Sequence, residues 1–239
     1  MSNLATFILS TIFSIFCLKL LIPFLCIDLP NERSLHETPK ARGGGIVFIL
    51  ISLVFLPFTG FYSIFLFIPL AIISFLDDLY YLGAKTRYFI HFTTICLFLI
   101  TNLDLLSLDN KFLFSTTFLF LIIMGTSIIN FSNFIDGIDG LLTSTMIIVF
   151  INIIFINKSE YLIPIIGSLI AFYFFNKTPA KVFMGDIGST FLGSILFFEI
   201  IRANNLNDSF MILSVSFPIM FDAFLCVIRR FVNNENIFR

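Results

Sequence analysis

Five aspartates lie in three short polar stretches of an otherwise apolar chain, and their side chains are the strongest candidates for chemistry. Asp77 and Asp78 are adjacent, Asp136 and Asp139 belong to the run Asp-Gly-Ile-Asp-Gly, and Asp186 stands in the run Met-Gly-Asp-Ile-Gly. Carboxylates that are brought together repel one another and stay ionised only if cations intervene. The pattern therefore predicts a site for a hard, oxygen-preferring metal ion such as Mg²⁺.

Basic residues beside these aspartates predict an anionic substrate. They are Lys85, Arg87, Lys177 and Lys181. Lysine and arginine side chains both bind phosphate oxygens, and arginine does so through two parallel hydrogen bonds. A phosphate group is therefore the simplest ligand that suits this set.

The polar stretch 28–45 adds further candidates. It contains His36, a candidate contact for a phosphate or a nucleotide, and Arg42, and it ends in three consecutive glycines at 43–45. Glycines at the start of a helix can present backbone N–H groups to an anion. A plain turn explains the same glycines equally well, and the sequence leaves both interpretations open.

Each group of aspartates also has a purely structural interpretation. The Asp77-Asp78 pair suits a solvated helix end, and Asp186, which precedes an apolar run, suits a helix N-cap. Asp136 and Asp139 are harder to dismiss, because residues at positions i and i+3 share one face of a helix.

Two more acids lie inside apolar segments. Asp222 lies about a turn and a half inside the last segment, where a charged group is costly and is functional by default. Glu199 precedes Arg202 by three residues, so an ion pair between them explains it without a function.

Composition indicates which elements must hold these residues in place. Of 239 residues, 58% are hydrophobic and only 12% are charged, whereas soluble domains average about 25% charged residues. We therefore predict an all-α, polytopic protein with lipid as its solvent, which excludes nucleic-acid binders, secreted disulfide modules and Rossmann-type enzymes. The four cysteines show no C-x-x-C pairing and are interpreted as small apolar residues.

Because a transmembrane helix needs about 20 residues, the chain has room for about nine. The apolar segments fall at 4–27, 46–58, 61–76, 88–106, 112–130, 141–157, 161–176, 187–202 and 210–228. Ten Lys and Arg residues lie on one side of this arrangement and three on the other. The positive-inside rule then predicts one integral-membrane domain, 1–239, with its N-terminus outside. The predicted cytoplasmic segments are 28–45, 77–87, 131–140, 177–186 and 229–239.

Taken together, the polar motifs resemble the polyprenyl-phosphate N-acetylhexosamine-1-phosphate transferases, glycosyltransferase family 4. The motifs occur in the family's order and span residues 30–239. They are His36-Glu-Thr-Pro-Lys-Ala-Arg42-Gly-Gly-Gly, Asp77-Asp78, Lys85-Thr-Arg87, Asn130-Phe-Ser-Asn133-Phe-Ile-Asp136-Gly-Ile-Asp139-Gly, Val182-Phe-Met-Gly-Asp186-Ile-Gly-Ser189 and Pro218-Ile-Met-Phe-Asp222.

The resemblance implies Mg²⁺-dependent transfer of a sugar-1-phosphate from a UDP-N-acetylhexosamine to undecaprenyl phosphate, with release of UMP. Metal ions, carboxylates and cations supply the positioning and charge neutralisation that phosphoryl transfer needs. The implied catalytic residues are Asp77, Asp78 and Asp186, with Asp186 and Asp78 as Mg²⁺ ligands. The lipid phosphate would be oriented or deprotonated by Asp77 and Asp78. The implied substrate-binding residues are His36, Arg42, Lys85, Arg87, Asn133, Asp136, Asp139 and Asp222.

The stretch 29–45 is most similar to the branch of the family that starts O-antigen or capsule chains, and less similar to the peptidoglycan branch. The implied location is the bacterial inner membrane, with the active site on its cytoplasmic face. Which N-acetylhexosamine is used stays open, as does a homodimer. Family members continue past residue 239 into a loop with a His-x-x-His-type motif, so we expect this chain to insert and fold but to be inactive or very slow.

Two other functions compete with this one. An intramembrane prenyltransferase also has about nine helices and Asp-rich Mg²⁺ loops, but it requires a D-x-x-x-D or D-D-x-x-D clamp, whereas Asp77-Asp78 is followed by Leu-Tyr-Tyr. A transporter would place ionisable groups on broken helices near the membrane midplane. Only Asp222 approaches that description.

Overall fold

The computed structural model describes residues 1–30, 37–80, 82–102 and 111–234, and these residues are mostly helical. They form ten α-helices: α1 Asn3–Leu21, α2 Ile46–Val54, α3 Leu56–Thr59, α4 Ile68–Tyr80, α5 Ala84–Thr101, α6 Lys111–Ile135, α7 Leu141–Asn157, α8 Leu162–Asn176, α9 Gly185–Ile201 and α10 Leu206–Val232. Single 3-10 helices follow α1 and precede α4, at Ile22–Phe24 and Tyr62–Leu66. The helical fold class agrees with the sequence prediction.

Three helices in the described ranges are long and apolar enough to cross a membrane by length and composition. They cover Asn3–Phe24, Leu113–Ile135 and Leu206–Val232. The shorter helices α7 and α8 are also apolar. The apolar helices support a membrane protein, whereas the count of nine spans is not confirmed and stays a prediction.

Helix α9 is the centre of the fold. Every residue from 185 to 200 is buried, and the helix packs chiefly against α4 and α6. A helix that is apolar all round belongs in the core of a protein. Its first turn is also held closely: a Cβ atom on Gly45 would lie 2.3 Å from the Gly188 Cα atom. The start of α9 therefore cannot shift without moving the chain that precedes α2.

A small three-stranded sheet stands beside the start of α9, a feature that the all-α prediction did not include. Strand β1, Cys26–Asp28, pairs antiparallel with β2, Lys40–Arg42, which pairs parallel with β3, Val182–Phe183. Arg42 is the register partner of Phe183, three residues before Asp186. The sheet thus delivers Arg42 to the helix that carries Asp186.

The glycines after β2 continue this backbone pairing. Gly44 and Gly45 donate their N–H groups to the carbonyls of Phe183 and Met184, at 3.0 and 2.9 Å. Their N–H groups are therefore not available to an anion, and of the two open interpretations the structure supports a turn that is fixed against β3.

The N-terminal helix packs through small residues. Its buried face consists of Thr6, Ser10 and Ser14 followed by Leu18, and a Cβ atom on Gly167 of α8 would lie 2.2 Å from the Ser10 hydroxyl. Small residues let two helix backbones approach closely where lipid supplies no hydrophobic driving force between helices.

Candidate active site

The carboxylate of Asp186 is the centre of a polar cluster at the start of α9. Its Oδ1 atom accepts a hydrogen bond from Arg42 Nη2 at 2.8 Å. Its Oδ2 atom accepts from Arg87 Nη1 at 3.0 Å and from Asn133 Nδ2 at 3.1 Å. Residues from β2, α5 and α6 therefore meet at one side chain of α9.

Asp78 caps α9 from the last turn of α4. Its two carboxylate oxygens accept hydrogen bonds from the backbone N–H groups of Asp186 and Ile187, at 3.0 and 3.1 Å. Arg42 Nε approaches the same carboxylate at 2.8 Å. The first N–H groups of a helix lack partners within the helix and favour negative charge. The N-cap interpretation of Asp186 is therefore wrong, because the cap comes from Asp78 on another helix.

Asp77 turns toward the other arginine. Its Oδ2 atom lies 3.3 Å from Arg87 Nη1, and its carboxyl is within hydrogen-bond reach of Asp186. Its Oδ1 atom is buried and has no hydrogen-bond partner among the described residues. Asp77 thus carries a buried acceptor oxygen that no described residue uses.

The predicted loop 77–87 is largely helical, and this corrects the interpretation of Asp77 and Asp78 as a solvated helix end. Helix α4 runs to Tyr80 and α5 begins at Ala84. Both aspartates are buried. The physical reason is that a capping carboxylate must lie against the helix end that it caps.

Burial and mutual repulsion give the carboxyls of Asp77, Asp78 and Asp186 different pKa values. All three residues lie beyond the ends of the predicted spans 61–76 and 187–202. Burial raises the pKa of Asp77 to about 7 and that of Asp78 to about 6, and Asp186 adds to both shifts. Burial acts in the same direction on Asp186, but Arg42, Asp77 and Arg87 hold its pKa below the ordinary value. Asp186 is therefore the carboxylate most firmly ionised.

Asp136 and Asp139 do not share a helical face. Helix α6 ends at Ile135, and both residues lie in the turn before α7. Asp136 accepts a hydrogen bond from the backbone of Gly185, and burial raises its pKa. Asp139 Oδ2 accepts from the Ala180 N–H at 2.8 Å. The turn is thus fastened to the segment before α9, which explains why α6 does not continue.

A buried asparagine joins the same two segments. Asn176 Oδ1 accepts from the Gly140 N–H at 3.1 Å and from the Thr143 hydroxyl at 2.8 Å. Its Nδ2 atom donates to the Val182 carbonyl at 3.0 Å. This side chain therefore locks the start of α7 to β3.

A cavity of about 410 Å³ opens beside Asp186, between α5, α6 and α10. It has cationic, neutral polar and aromatic walls, formed by Arg87, Tyr88, Thr126, Ser127, Asn130, Phe131, Asn133, Phe134, Asp186, Val227 and Arg230. Arg230 also lies over the Phe134 ring, 4.9 Å from its centroid. The cavity can accept a group that is both anionic and partly apolar.

An apolar groove of about 380 Å³ shares two wall residues, Ser127 and Phe131, with this cavity. It lies between α6 and α10 and is lined by Met124, Ser127, Ile128, Phe131, Phe210, Leu213, Ser214, Ser216, Phe217 and Met220. The groove therefore lies directly beside the cavity and offers an apolar surface next to the polar cluster.

Of the other site residues predicted from the sequence, Lys85 and Asp222 do not contact the cluster in the described part of the chain. Lys85 is exposed, two residues before Arg87. Asp222 is exposed on α10 and forms no hydrogen bond or ion pair within the described ranges. His36 lies outside the described residues. The predicted roles of these three residues in substrate binding stay predictions.

Sequence reasoning assigned a role to Asn133 but missed the rest of the polar wall of the cavity, which is formed by Thr126, Ser127 and Asn130. Thr126, Ser127, Asn130 and Asn133 occupy one side of α6 at helical spacing. Polar residues that recur every three or four positions in an apolar segment are the signal that would have found them. Arg230 was counted only as evidence for topology.

The carboxylate oxygens of the cluster are candidate donors for a metal ion. Asp77 Oδ1 is a buried oxygen with no partner in the described ranges, and it belongs to a carboxylate in contact with Asp186. No group of three or more His, Cys, Asp or Glu side chains suited to a metal occurs in the described part of the chain. Mg²⁺ is commonly held by one or two carboxylates together with substrate phosphates and water. The residues present fit that ion.

Comparison with known proteins decides the family. The profile of glycosyl transferase family 4 matches residues 60–204, which include Asp77, Arg87, Asn133 and Asp186. The chain belongs to glycosyl transferase family 4. It is therefore a membrane-bound transferase of the phosphotransferase type, and the prenyltransferase and transporter alternatives are not supported.

Three relatives illustrate the range within this family. A probable undecaprenyl-phosphate N-acetylglucosaminyl 1-phosphate transferase of Bacillus subtilis is 28% identical over an alignment of 252 residues. The alignment covers 92% of this chain and 68% of the relative. A phospho-N-acetylmuramoyl-pentapeptide-transferase of Lactobacillus gasseri is 31% identical over 235 residues, covering 80% and 73%. The corresponding enzyme of Leuconostoc mesenteroides is 40% identical over 108 residues, covering 42% and 33%.

Proposed function

We propose that this chain transfers an N-acetylhexosamine-1-phosphate from a UDP-sugar to undecaprenyl phosphate and releases UMP. One observation carries the proposal: the cluster of carboxylates and arginines lies at a cavity that has an apolar groove directly beside it, with Ser127 and Phe131 lining both. A reaction between a water-soluble phosphate donor and a lipid phosphate requires that combination.

In this reaction an oxygen of the lipid phosphate attacks the β-phosphorus of the UDP-sugar. A new phosphorus–oxygen bond forms, the bond from the β-phosphorus to the bridging oxygen breaks, and UMP leaves with that oxygen. The second ionisation of a phosphate monoester has a pKa of about 6, so at neutral pH the nucleophile is already mostly dianionic. Positioning and charge neutralisation are then the main tasks of the protein.

Arg87 is the proposed phosphate-binding cation. Its side chain is 31% exposed and lines the cavity, and its Nη1 atom contacts Asp77 and Asp186. The two acids hold the guanidinium at the cavity wall, with its remaining N–H groups for phosphate oxygens. Arg42 is tied to Asp78 and Asp186 together, so we assign it to fixing the cluster as well as to binding phosphate.

Asp186 and Asp77 are the proposed holders of Mg²⁺, which would neutralise phosphate charge when it is bound. The sequence had suggested Asp186 with Asp78. Both oxygens of Asp78 already accept backbone N–H groups, whereas Asp77 Oδ1 has no partner among the described residues. This difference favours Asp77 as the partner of Asp186 and gives Asp78 the task of fixing the start of α9.

The proposed lipid acceptor enters between α6 and α10. Its prenyl chain would lie in the apolar groove and its phosphate in the cavity at Arg87. Asn133 supports the cluster from the cavity wall, and Asp136 and Asp139 hold the turn that faces the donor. We also propose the N-out orientation with the site on the cytoplasmic face, because ten basic residues lie on that side against three.

The proposed product begins an O-antigen, capsule or related envelope glycan at the inner membrane. The motif at 29–45 supports this branch, as does the Bacillus subtilis relative, which covers 92% of this chain. The pentapeptide-transferase relatives keep the peptidoglycan branch as the competing assignment.

The test incubates membranes that contain the chain with radiolabelled UDP-N-acetylhexosamines and undecaprenyl phosphate. We expect slow formation of a lipid-linked sugar phosphate and of an equal amount of UMP, both lost on chelation of divalent ions and restored by Mg²⁺. Product without UMP, or turnover that is indifferent to chelation, would contradict the proposal. Cysteine labelling at positions 177 and 181 tests the orientation, since labelling from the outer face would contradict it.

A further inference from the structure

A buried serine, Ser189, contacts the side-chain amide of Asn133, which in turn contacts Asp186 in the active-site cluster. Ser189 is fully buried in α9. Its hydroxyl lies 3.0 Å from Asn133 Oδ1, while Asn133 Nδ2 lies 3.1 Å from Asp186 Oδ2. The amide of Asn133 is thus held at one end by Ser189 and at the other end by Asp186.

The two residues that contact the Asn133 amide lie on the same face of α9. Asp186 and Ser189 are three residues apart, so they project from neighbouring positions of α9. The amide torsion of an asparagine is broad and roughly two-fold when nothing restrains it. A single partner leaves the amide free to turn about that contact, whereas two partners on one rigid helix fix its plane.

The Ser189 hydroxyl can hydrogen-bond to the Asn133 amide whether the amide oxygen or the amide nitrogen faces it. Ser189 Oγ also lies 3.1 Å from the Gly185 carbonyl. When its proton is directed there, the hydroxyl oxygen accepts from an amide N–H, since a serine hydroxyl has one donor and two acceptor positions. An alanine side chain has neither a hydrogen-bond donor nor an acceptor. The contact therefore depends on the hydroxyl and not on the shape of the side chain alone.

We propose that Ser189 is a positioning residue that acts through Asn133, holding its amide plane against Asp186 at the cavity wall. The role in turnover rests on the proposed function, because it matters to the reaction only if this cluster handles the transferring phosphate. The role in orienting the amide does not rest on it.

The first experiment measures turnover of Ser189→Ala, with Ser194→Ala as the matched control. Ser194 is also fully buried in α9, but its hydroxyl bonds to the Phe191 carbonyl of its own helix. Losing one neutral hydrogen bond predicts a roughly three- to tenfold fall in kcat for Ser189→Ala. Ser194→Ala should keep wild-type kcat, and Ser189→Thr, which keeps the hydroxyl, should recover most of the loss.

A double-mutant cycle separates positioning from general support of the fold. In an Asn133→Ala background, Ser189→Ala should cause no further fall in kcat, because the group through which it acts is gone. Equal losses in both backgrounds would overturn the proposal, as would equal losses for Ser189→Ala and Ser194→Ala.

A second readout does not depend on activity. In full-length protein labelled with ¹⁵N-asparagine, the Asn133 side-chain amide signal is assigned by its absence in Asn133→Asp. We expect Ser189→Ala to shift and broaden this signal and Ser194→Ala to leave it unchanged. An unchanged signal in Ser189→Ala would overturn the proposal even if no sugar transfer were detected, whereas absence of transfer with the expected shift would count against the proposed function alone.

Discussion

The two ends of α9 each bury one carboxylate, yet the two carboxylates have opposite kinds of neighbours. Asp186 at the start of the helix is surrounded by Arg42, Arg87 and the amide of Asn133. Glu199, near the end of the helix, accepts hydrogen bonds only from neutral side chains in the described part of the chain: Asn157 Nδ2 at 2.8 Å, the Ser159 hydroxyl at 2.7 Å and the Tyr161 hydroxyl.

The wider surroundings of the Asp186 and Glu199 carboxylates also differ. Asp186 lines an open cavity. At the other end, Phe61 stacks on Tyr161 with ring centroids 4.0 Å apart. Arg202 lies over the Phe198 ring, 5.0 Å from its centroid, in place of the close ion pair with Glu199 that the sequence suggested. The cations beside the cavity can bind an anionic ligand at the Asp186 end. The neutral donors around the buried Glu199 carboxylate instead fix the turn between α7 and α8.

Arg87→Ala should cause a large loss of activity at the Asp186 end of the helix. It removes the cation that contacts Asp77 and Asp186 at the cavity wall. Loss of one preorganised charge-stabilising group typically costs about 10²- to 10³-fold in kcat, so we expect a fall of that size. The measurement is initial rate of lipid-linked product, with the exposed neighbour Lys85→Ala as comparison. A larger loss for Lys85→Ala would contradict the assignment of Arg87.

Glu199→Ala should lower stability and leave the chemistry of folded molecules largely intact. It leaves donors of Asn157, Ser159 and Tyr161 without their acceptor, which predicts a destabilisation of about 3 kcal/mol or more. Thermal unfolding in detergent measures the effect, and Glu160→Ala, an exposed acid on the same turn, is the control. Equal stability of the two variants would show that the Glu199 carboxylate has no structural role.

Asn176→Ala should destabilise the side of the site that carries the α6–α7 turn. Three hydrogen bonds are lost from a buried amide, and the expected cost is about 2–3 kcal/mol. The matched control is Asn152→Ala, because Asn152 is partly exposed and, in the described part of the chain, its side chain bonds only to the Ile148 carbonyl of α7. If proteolysis between 177 and 181 were no faster in Asn176→Ala than in the control, this locking role would be refuted.

Ser74→Ala should give the smallest effect. The Ser74 hydroxyl lies 2.9 Å from the Thr190 hydroxyl and joins α4 to α9 one turn away from Asp78. A single neutral hydrogen bond contributes about 1 kcal/mol. We expect a decrease of that size in unfolding free energy with less than a twofold change in turnover, and a tenfold loss of turnover would show that this contact also tunes the site.

The sequence was sufficient to predict the helical class, the membrane setting and the meeting of Asp77, Asp78 and Asp186. The first two inferences follow from composition, whereas the meeting of the three aspartates follows from placing their separate polar stretches on one face of the membrane. The order of these motifs along the chain is specific enough to indicate the family as well.

Contacts between distant segments could not be predicted in the same way. Nothing local indicates that Asp78 caps a helix that begins more than a hundred residues later, or that Asn176 joins two turns. The run of Asp136 and Asp139 has helical spacing, but hydrogen bonds to Gly185 and Ala180 hold it as a turn. Tertiary partners thus override local spacing.

The most direct test compares Asp186→Asn with Glu199→Gln in one membrane preparation. Both changes replace a buried carboxylate of α9 by an amide of nearly the same shape. The assay measures transfer of radiolabelled sugar phosphate per folded molecule, and thermal unfolding is measured on the same samples. We predict that Asp186→Asn loses about a thousandfold or more of its turnover with little change in stability, and that Glu199→Gln loses stability but keeps most of its turnover. Near-normal transfer by Asp186→Asn, or equal losses of turnover in both variants, would contradict the assignment of the reaction to the Asp186 end of the helix.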